Sequence, residues 1–201
     1  MNKQELTIFK SFEDICRKTP SAPFLISPSR NQKGMTTFSY QETFEKANQI
    51  STIFLDNGYD NNLRVATLLG STPEHYIVKL ALNKIGVSVV PINPDYSPDE
   101  TAYLLADSGS VLAICTEHYI KQLKTAIAYK DLSIPIVTYD EIETIQTREP
   151  LSDVGTQLHG KTEASLLYTS GTTGRPKGCI LSHEYEPVSY THLTLPTKRI
   201  V

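Results

Sequence analysis

Tryptophan is absent from the 201-residue chain, and cysteine is scarce: Cys16, Cys115 and Cys179 are odd in number and far apart. This pattern excludes a disulfide framework and a CxxC metal motif, so we expect three free thiols. The five histidines are also scattered and form no paired-ligand motif of the HExxH type. The sequence therefore predicts neither a disulfide scaffold nor a protein-bound metal.

Long apolar runs and a surplus of basic residues are also missing. The longest apolar stretches, such as residues 87–92, are as long as a strand, whereas a membrane-spanning helix needs about 20 residues. The 19 basic and 22 acidic residues give a net charge of −3 without a basic stripe, which argues against nucleic acid or an anionic membrane as a partner. Because residues 1–10 contain no apolar signal core, we expect a cytoplasmic protein that acts on small molecules.

Helical and strand-like patterns alternate along the chain, whose 39% hydrophobic and 20% charged residues are typical of a folded domain. Strands that are apolar on both faces suit a parallel sheet covered by helices. We therefore predict an α/β fold with a mostly parallel sheet flanked by helices. Helical spacing predicts helices near residues 8–18, 44–55, 73–85, 98–107 and 118–128, and apolar or β-branched runs predict strands at 24–27, 36–40, 64–69, 88–92, 111–115, 134–138 and 165–168.

The segment after the last predicted strand concentrates hydroxyls, glycines and one cation. A polyphosphate needs backbone N–H donors at close approach, hydroxyl donors and a positive charge. A glycine- and threonine-rich turn with an exposed lysine is the competing interpretation of the composition alone. The candidate phosphate-binding residues are Thr169, Ser170, Gly171, Thr172, Thr173, Gly174 and Lys177.

Two familiar phosphate-binding motifs do not fit this segment. A Walker A loop places glycine before its lysine and a hydroxyl residue after it, whereas Pro176 and Gly178 flank Lys177 here. The GxGxxG fingerprint fails as well, because Gly171 and Gly174 are separated by two threonines and no Gly-x-Gly precedes them. A kinase-like or GTPase-like phosphoryl transferase is therefore disfavoured.

The ten-residue string TSGTTGRPKG, residues 169–178, resembles the phosphate-binding signature of the adenylate-forming superfamily. That superfamily includes acyl-CoA synthetases, luciferases and peptide-synthetase adenylation domains. The resemblance continues upstream through residues 37–40, 64–69 and 84–94 and covers about residues 10–186. The string GCILS at 178–182, followed by Glu184 and Tyr185, looks most like an acyl-CoA ligase.

The resemblance implies an AMP-forming ligase that activates a carboxylic acid as an acyl-adenylate and transfers it to coenzyme A. It implies ATP and Mg²⁺ as well, with the loop holding the β- and γ-phosphates. Thr169, Ser170, Thr172 and Thr173 would be hydroxyl or amide donors, Gly171 and Gly174 flexible joints, and Lys177 the phosphate cation. Arg175 occupies a variable family position and is expected to be solvated, and His183 is expected to start or cap a helix rather than act as a base.

We interpret residues 1–186 as a partial N-terminal AMP-binding domain that ends just after the phosphate loop. Two prolines and several threonines interrupt any helical pattern in residues 187–201, which we interpret as a non-native tail. The family segments that bind adenine and ribose follow the loop, so we assign no catalytic residue and expect the fragment alone not to turn over. The alternatives are an adenylation domain or another ATP-dependent enzyme that does not use coenzyme A, and a non-catalytic nucleotide-binding module.

Overall fold

A computed structural model describes residues 7–28, 34–145, 147–148, 158–169 and 175–186. Its helices are α1 (Ile8–Lys18), α2 (Tyr40–Asp56), α3 (Pro73–Lys84), α4 (Pro98–Ser108) and α5 (Ile120–Tyr129), with 3₁₀ turns at Glu117–Tyr119 and Tyr139–Thr144. Its strands are β1 (Pro23–Pro28), β2 (Met35–Ser39), β3 (Arg64–Leu68), β4 (Ser88–Pro91), β5 (Leu112–Cys115), β6 (Ile136–Thr138), β7 (Glu163–Thr169) and β8 (Lys177–Ser182).

Six strands form the main sheet in the order β6-β5-β3-β4-β7-β8. All neighbouring pairs are parallel except β7 and β8, which are antiparallel. Strands β1 and β2 form a separate antiparallel pair. The predicted α/β class with a mostly parallel sheet is confirmed.

The core has two parts, one on each face of the sheet. Alternate residues of β3 divide between them: Val65 packs with α1, α2 and α3, whereas Ala66 and Leu68 pack with α4 and α5. Strand β4 divides in the same way, with Val89 on one face and Val90 on the other. Because both faces are covered, the central strands are apolar throughout, as a parallel sheet requires.

Helix starts follow their sequence signals closely. Ser97 and Glu100 form a capping box, in which each side chain accepts from the backbone N–H of the other and Pro98 occupies the first turn. The Thr7 side chain caps α1 by accepting from the Lys10 N–H. A second capping box, between Ser39 and Glu42, was not predicted. It ends β2 one residue early, so that Tyr40 begins α2 instead of ending a strand.

Two other predicted boundaries shift. His118 lies in the 3₁₀ turn Glu117–Tyr119, and α5 therefore begins at Ile120 rather than at residue 118. The strand predicted over residues 134–138 is shorter, because β6 pairs with β5 only from Ile136. In the described residues, no helix has both the length and the apolar character needed to cross a bilayer.

Candidate phosphate-binding site

The predicted site residues lie at the turn between β7 and β8. Thr169 is the last residue of β7 and Lys177 the first of β8, and the two are register partners in the antiparallel ladder. The connecting residues Ser170, Gly171, Thr172, Thr173 and Gly174 lie outside the described residues. The structure thus brings together the two ends of the predicted loop, and the phosphate-binding role of all seven residues stays a prediction.

The parallel direction of β3, β4 and β7 fixes where this turn lies. Their carboxyl ends, at Leu68, Pro91 and Thr169, meet at one edge of the sheet. In open α/β sheets, ligands bind in the crevice outside the carboxyl ends of the strands. Thr169 therefore lies where a ligand is expected for this architecture.

A cleft of about 610 Å³ opens at that edge. Its wall includes the hydroxyl-bearing Thr67, which is buried and whose side-chain oxygen has no hydrogen-bond partner among the described residues. The cleft is lined by Thr67, Gly70, Ser71, His75, Tyr76, Pro91, Ile92, Asn93, Pro94, Asp95, Tyr96, Leu167, Tyr168 and Thr169. Asn93 and Pro94, which follow β4, form part of the wall of the cleft.

His75 is a cleft residue that sequence reasoning missed. It lies in the first turn of α3, the helix that follows β3, and β4 separates β3 from the strand β7 that ends at Thr169. Burial, and then the nearby Lys79 ammonium, lower the pKa of His75 to about 4. The imidazole is therefore neutral at pH 7 and offers both a donor and an acceptor. Its position just after a parallel strand was the available signal.

A group of aromatic and charged side chains lies beside the turn. The Tyr168 hydroxyl donates to Asp107 Oδ2 at 2.7 Å, and the Tyr103 hydroxyl donates to Oδ1 of the same carboxylate at 3.3 Å. Burial raises the pKa of Tyr168, and its hydrogen bond to Asp107 raises that pKa further. Arg175 is exposed, as predicted. Its guanidinium carbon nevertheless lies 5.1 Å from the centroid of the Tyr103 ring, a contact that the sequence did not indicate.

His183 has a structural role in the fold. Its side chain is fully buried, and its Nδ1 accepts from the backbone N–H of Ile8, the first residue of α1, at 3.4 Å. It therefore caps a helix, as predicted, although the helix is α1 rather than one that follows it. Burial lowers the pKa of His183 to about 4.

An ion pair fixes the opposite, amino edge of the sheet. Arg64 Nε and Nη2 donate to the two carboxylate oxygens of Glu163 at 2.7 and 2.8 Å. Ser88 Oγ donates to the same carboxylate at 2.7 Å. Since Arg64, Ser88 and Glu163 begin β3, β4 and β7, this cluster holds the starts of the three strands together.

The chain is similar in sequence to two synthases and in fold to an acyl-CoA synthetase. It is 31% identical over 183 residues to gramicidin S synthase 2 of Brevibacillus brevis, covering 90% of this chain and 4% of the synthase. Against tyrocidine synthase 1 of Brevibacillus parabrevis it is 31% identical over 185 residues, covering 90% of this chain and 16% of the synthase. The fatty acyl CoA synthetase of Mycobacterium tuberculosis has the same fold, with a TM-score of 0.71 and 22% identity over 88% of this chain and 34% of that one.

A protein-family model also matches most of the chain. The family described as AMP-binding enzyme matches residues 12–195, which include the β7–β8 turn and the cleft beside it. The chain therefore belongs to the AMP-binding, adenylate-forming enzyme family.

Proposed function

We propose that this chain supplies the phosphate-binding part of an enzyme that joins a carboxylic acid to ATP, forming an acyl-adenylate and releasing pyrophosphate. One observation carries the proposal. In a chain of the AMP-binding enzyme family, the glycine- and threonine-rich residues 169–178 join two adjacent strands at the carboxyl edge of the sheet. This edge is where an open α/β sheet binds its ligand.

The chemistry of the loop suits the first step of that reaction. A carboxylate oxygen attacks the α-phosphorus of ATP, and the bond from that phosphorus to the oxygen bridging the β-phosphate breaks. Negative charge then accumulates on the leaving pyrophosphate. Donors that already surround the β- and γ-phosphates stabilise this charge without reorganising. We assign this role to Thr169, Ser170, Gly171, Thr172, Thr173, Gly174 and Lys177.

Adenylate-forming enzymes use Mg²⁺ with ATP. In the described part of the chain, no group of three acidic, histidine or cysteine side chains is placed to hold a metal ion. The described side chains thus do not fit a protein-built Mg²⁺ cage. Because Mg²⁺ is commonly held by substrate phosphates and water, we propose that the ion enters with the nucleotide, and we assign it no step.

For the acceptor of the acyl group, we propose a thiol other than that of coenzyme A. The support is the similarity to gramicidin S synthase 2 and tyrocidine synthase 1, which are peptide synthetases. The chain spans only 4% and 16% of these relatives. Coenzyme A is the second candidate, favoured by the likeness of residues 178–182 to acyl-CoA ligases.

The test is isotope exchange between pyrophosphate and ATP, measured with the complete protein that contains this chain and a panel of carboxylic and amino acids. We expect exchange that depends on one class of acid, and AMP rather than ADP as the nucleotide released when the acyl group leaves the adenylate. Formation of ADP would instead indicate a phosphoryl transferase and overturn the proposal. A separate measurement of AMP release decides the acceptor, because stimulation by coenzyme A would favour the second candidate.

A further inference from the structure

Arg175, at the downstream end of the loop, lies against an aromatic ring on another element. Its guanidinium carbon is 5.1 Å from the ring centroid of Tyr103 on α4. This distance is within the range at which a cation is attracted to the face of an aromatic ring. Lys130, at the end of α5, lies 5.3 Å from the same centroid. The Tyr103 ring thus holds the arm of the loop that leads into β8.

The same ring is attached to the other arm of the loop. Tyr103 and Tyr168 pack edge to face, with centroids 6.5 Å apart and planes at 80°. Their hydroxyls share the carboxylate of Asp107, at 3.3 and 2.7 Å. Tyr168 immediately precedes Thr169, so the arm of the loop that leaves β7 is held on α4 as well.

The backbone between Arg175 and Lys177 is stiff. Pro176 fixes its own φ and restricts the residue before it, Arg175, to extended conformations. Holding the Arg175 side chain therefore limits where Lys177, two residues later, can lie. Gly178 lies beside the Tyr168 ring, since a Cβ there would be in van der Waals contact with that ring at 3.4 Å.

From this arrangement we infer that Arg175, Tyr103, Asp107 and Tyr168 form a loop anchor, which holds both ends of the loop against α4 so that Thr169 and Lys177 are presented to a polyphosphate. These are positioning residues: Arg175 acts through Tyr103 and does not itself bind the phosphates. The inference rests on the proposed function of the loop. The competing role for Arg175 is direct contact with the phosphates, and a double-mutant cycle separates the two.

The cycle uses the 201-residue chain, with inorganic tripolyphosphate and MgATP as probes in titration calorimetry. We expect Arg175→Ala and Tyr103→Leu each to weaken binding roughly 3- to 5-fold, the worth of one exposed cation–ring contact. The double variant should bind no more weakly than Tyr103→Leu alone, because that variant already removes the contact of Arg175. Tyr103→Phe, which keeps the ring, should remain within about 2-fold of the wild type.

Arg148→Ala is the matched control. Its guanidinium carbon lies 5.5 Å from the centroid of the Tyr59 ring, away from the loop, so we expect its loss to leave binding unchanged. If Arg175→Ala weakens binding as much in the Tyr103→Leu background as in the wild type, Arg175 contacts the phosphates directly and the anchor is wrong. Wild-type affinity in the Tyr103→Leu variant would also overturn it.

A second measurement detects the contact between Arg175 and the Tyr103 ring directly, without depending on phosphate binding. In NMR spectra of the chain, Arg175→Ala should shift the ring resonances of Tyr103 and leave those of Tyr59 in place, and Arg148→Ala should do the reverse. Unshifted Tyr103 resonances would contradict the anchor even if Tyr103→Leu failed to fold. Failure of the proposed function looks different, because acid-dependent exchange would then be missing from the complete protein while the anchor variants still alter tripolyphosphate binding.

Discussion

Thr169 and Lys177 are register partners across β7 and β8, as the last residue of one strand and the first of the next. Their Cα atoms therefore define the two ends of the candidate phosphate loop. Because β8 runs antiparallel to a strand of the parallel sheet, the chain returns to the same edge that it left. A hydroxyl residue and a cation thus lie side by side where the sheet is expected to bind its ligand.

Replacing Lys177 should affect the adenylation step selectively. We expect Lys177→Ala to slow acid-dependent ATP–pyrophosphate exchange by about 100-fold, comparable to losing one preorganised donor to a developing charge. Transfer from a preformed acyl-adenylate should change little, because pyrophosphate has already left. Lys124→Ala, which removes an exposed lysine from α5, is the control. Equal losses in the two half-reactions, measured separately, would contradict the assigned role.

Gly178 is required by packing on β7. A Cβ at this position would lie 3.0 Å from Leu166 Cδ1, so the Leu166 side chain would have to shift by a few tenths of an ångström. We expect Gly178→Ala to lower the free energy of unfolding by about 1 kcal/mol, the low end for overpacking. Urea unfolding measures this, with Cys179→Ala, at the next and exposed position of β8, as the control. Equal stability of the two variants would show that the strand adjusts freely.

Glu163 should contribute to stability through its charge. Burial raises the pKa of Glu163, but hydrogen bonds from Arg64 and Ser88 outweigh burial and hold that pKa below its ordinary value. The stabilisation is therefore present above the unfolded pKa of about 4.3 and is lost as the pH falls through the lower folded value. We expect Glu163→Gln to cost about 2 kcal/mol at pH 7, because Arg64 and Ser88 lose a charged partner.

The control for Glu163→Gln is Glu13→Gln, which breaks an ion pair with Arg17 on the surface of α1. Such a pair contributes about 0.3 kcal/mol. Urea unfolding at pH 7 and pH 3 measures both variants, and the difference between wild type and Glu163→Gln should shrink at pH 3. A cost for Glu163→Gln no larger than that for Glu13→Gln would contradict the structural role of the cluster.

His183 should make the chain sensitive to mild acid. Burial is the main cause that lowers the pKa of His183, and the nearby Lys79 and His159 lower it further. The Glu186 carboxylate opposes them, and the resulting pKa is about 4. The unfolded chain binds a proton near pH 6.5 and the folded chain does not. Stability should therefore fall as the pH drops from about 6.5 towards 4, by up to about 1.4 kcal/mol per pH unit for one group.

The test compares His183→Asn with the wild type in urea unfolding between pH 7 and pH 4.5. Asparagine can accept from the Ile8 N–H as the imidazole does but does not titrate. The variant should therefore show a shallower loss of stability, although His75 still contributes. Thr125→Asn, which introduces the same side chain at an exposed position of α5, should keep the wild-type slope. Identical slopes for all three proteins would contradict the buried, neutral state of His183.

The sequence predicted the elements that depend on local chemistry. Ser97, Pro98 and Glu100 carry a complete helix-start signal in four residues, and the helix begins there. The string at 169–178 predicts a phosphate loop because residue types that suit a phosphate stand next to one another, and the structure describes its two ends, at Thr169 and Lys177. The cleft beside it was not predicted, since Thr67, His75 and Asn93 come from separate segments and meet only through the strand order.

The contacts of Arg175 and His183 were not predicted either, because their partners are also far away in the sequence. Arg175 contacts Tyr103, and His183 caps α1 through Ile8, a residue 175 positions earlier. From the sequence alone, an arginine in a loop is predicted to be solvated and a histidine after a strand is predicted to act locally. Only the packing of α4 and α1 against the sheet gives them partners, and no periodicity in the sequence encodes that packing.

The central claim is that residues 169–177 bind the triphosphate of ATP. Titration of the isotope-labelled chain with MgATP, followed by backbone amide NMR, tests it most directly. We predict shifts concentrated at residues 169–178 and in the cleft around His75, and their loss in Lys177→Ala. Saturating MgATP that leaves these amides unmoved, or moves only those around Arg64 at the opposite edge of the sheet, would contradict the claim.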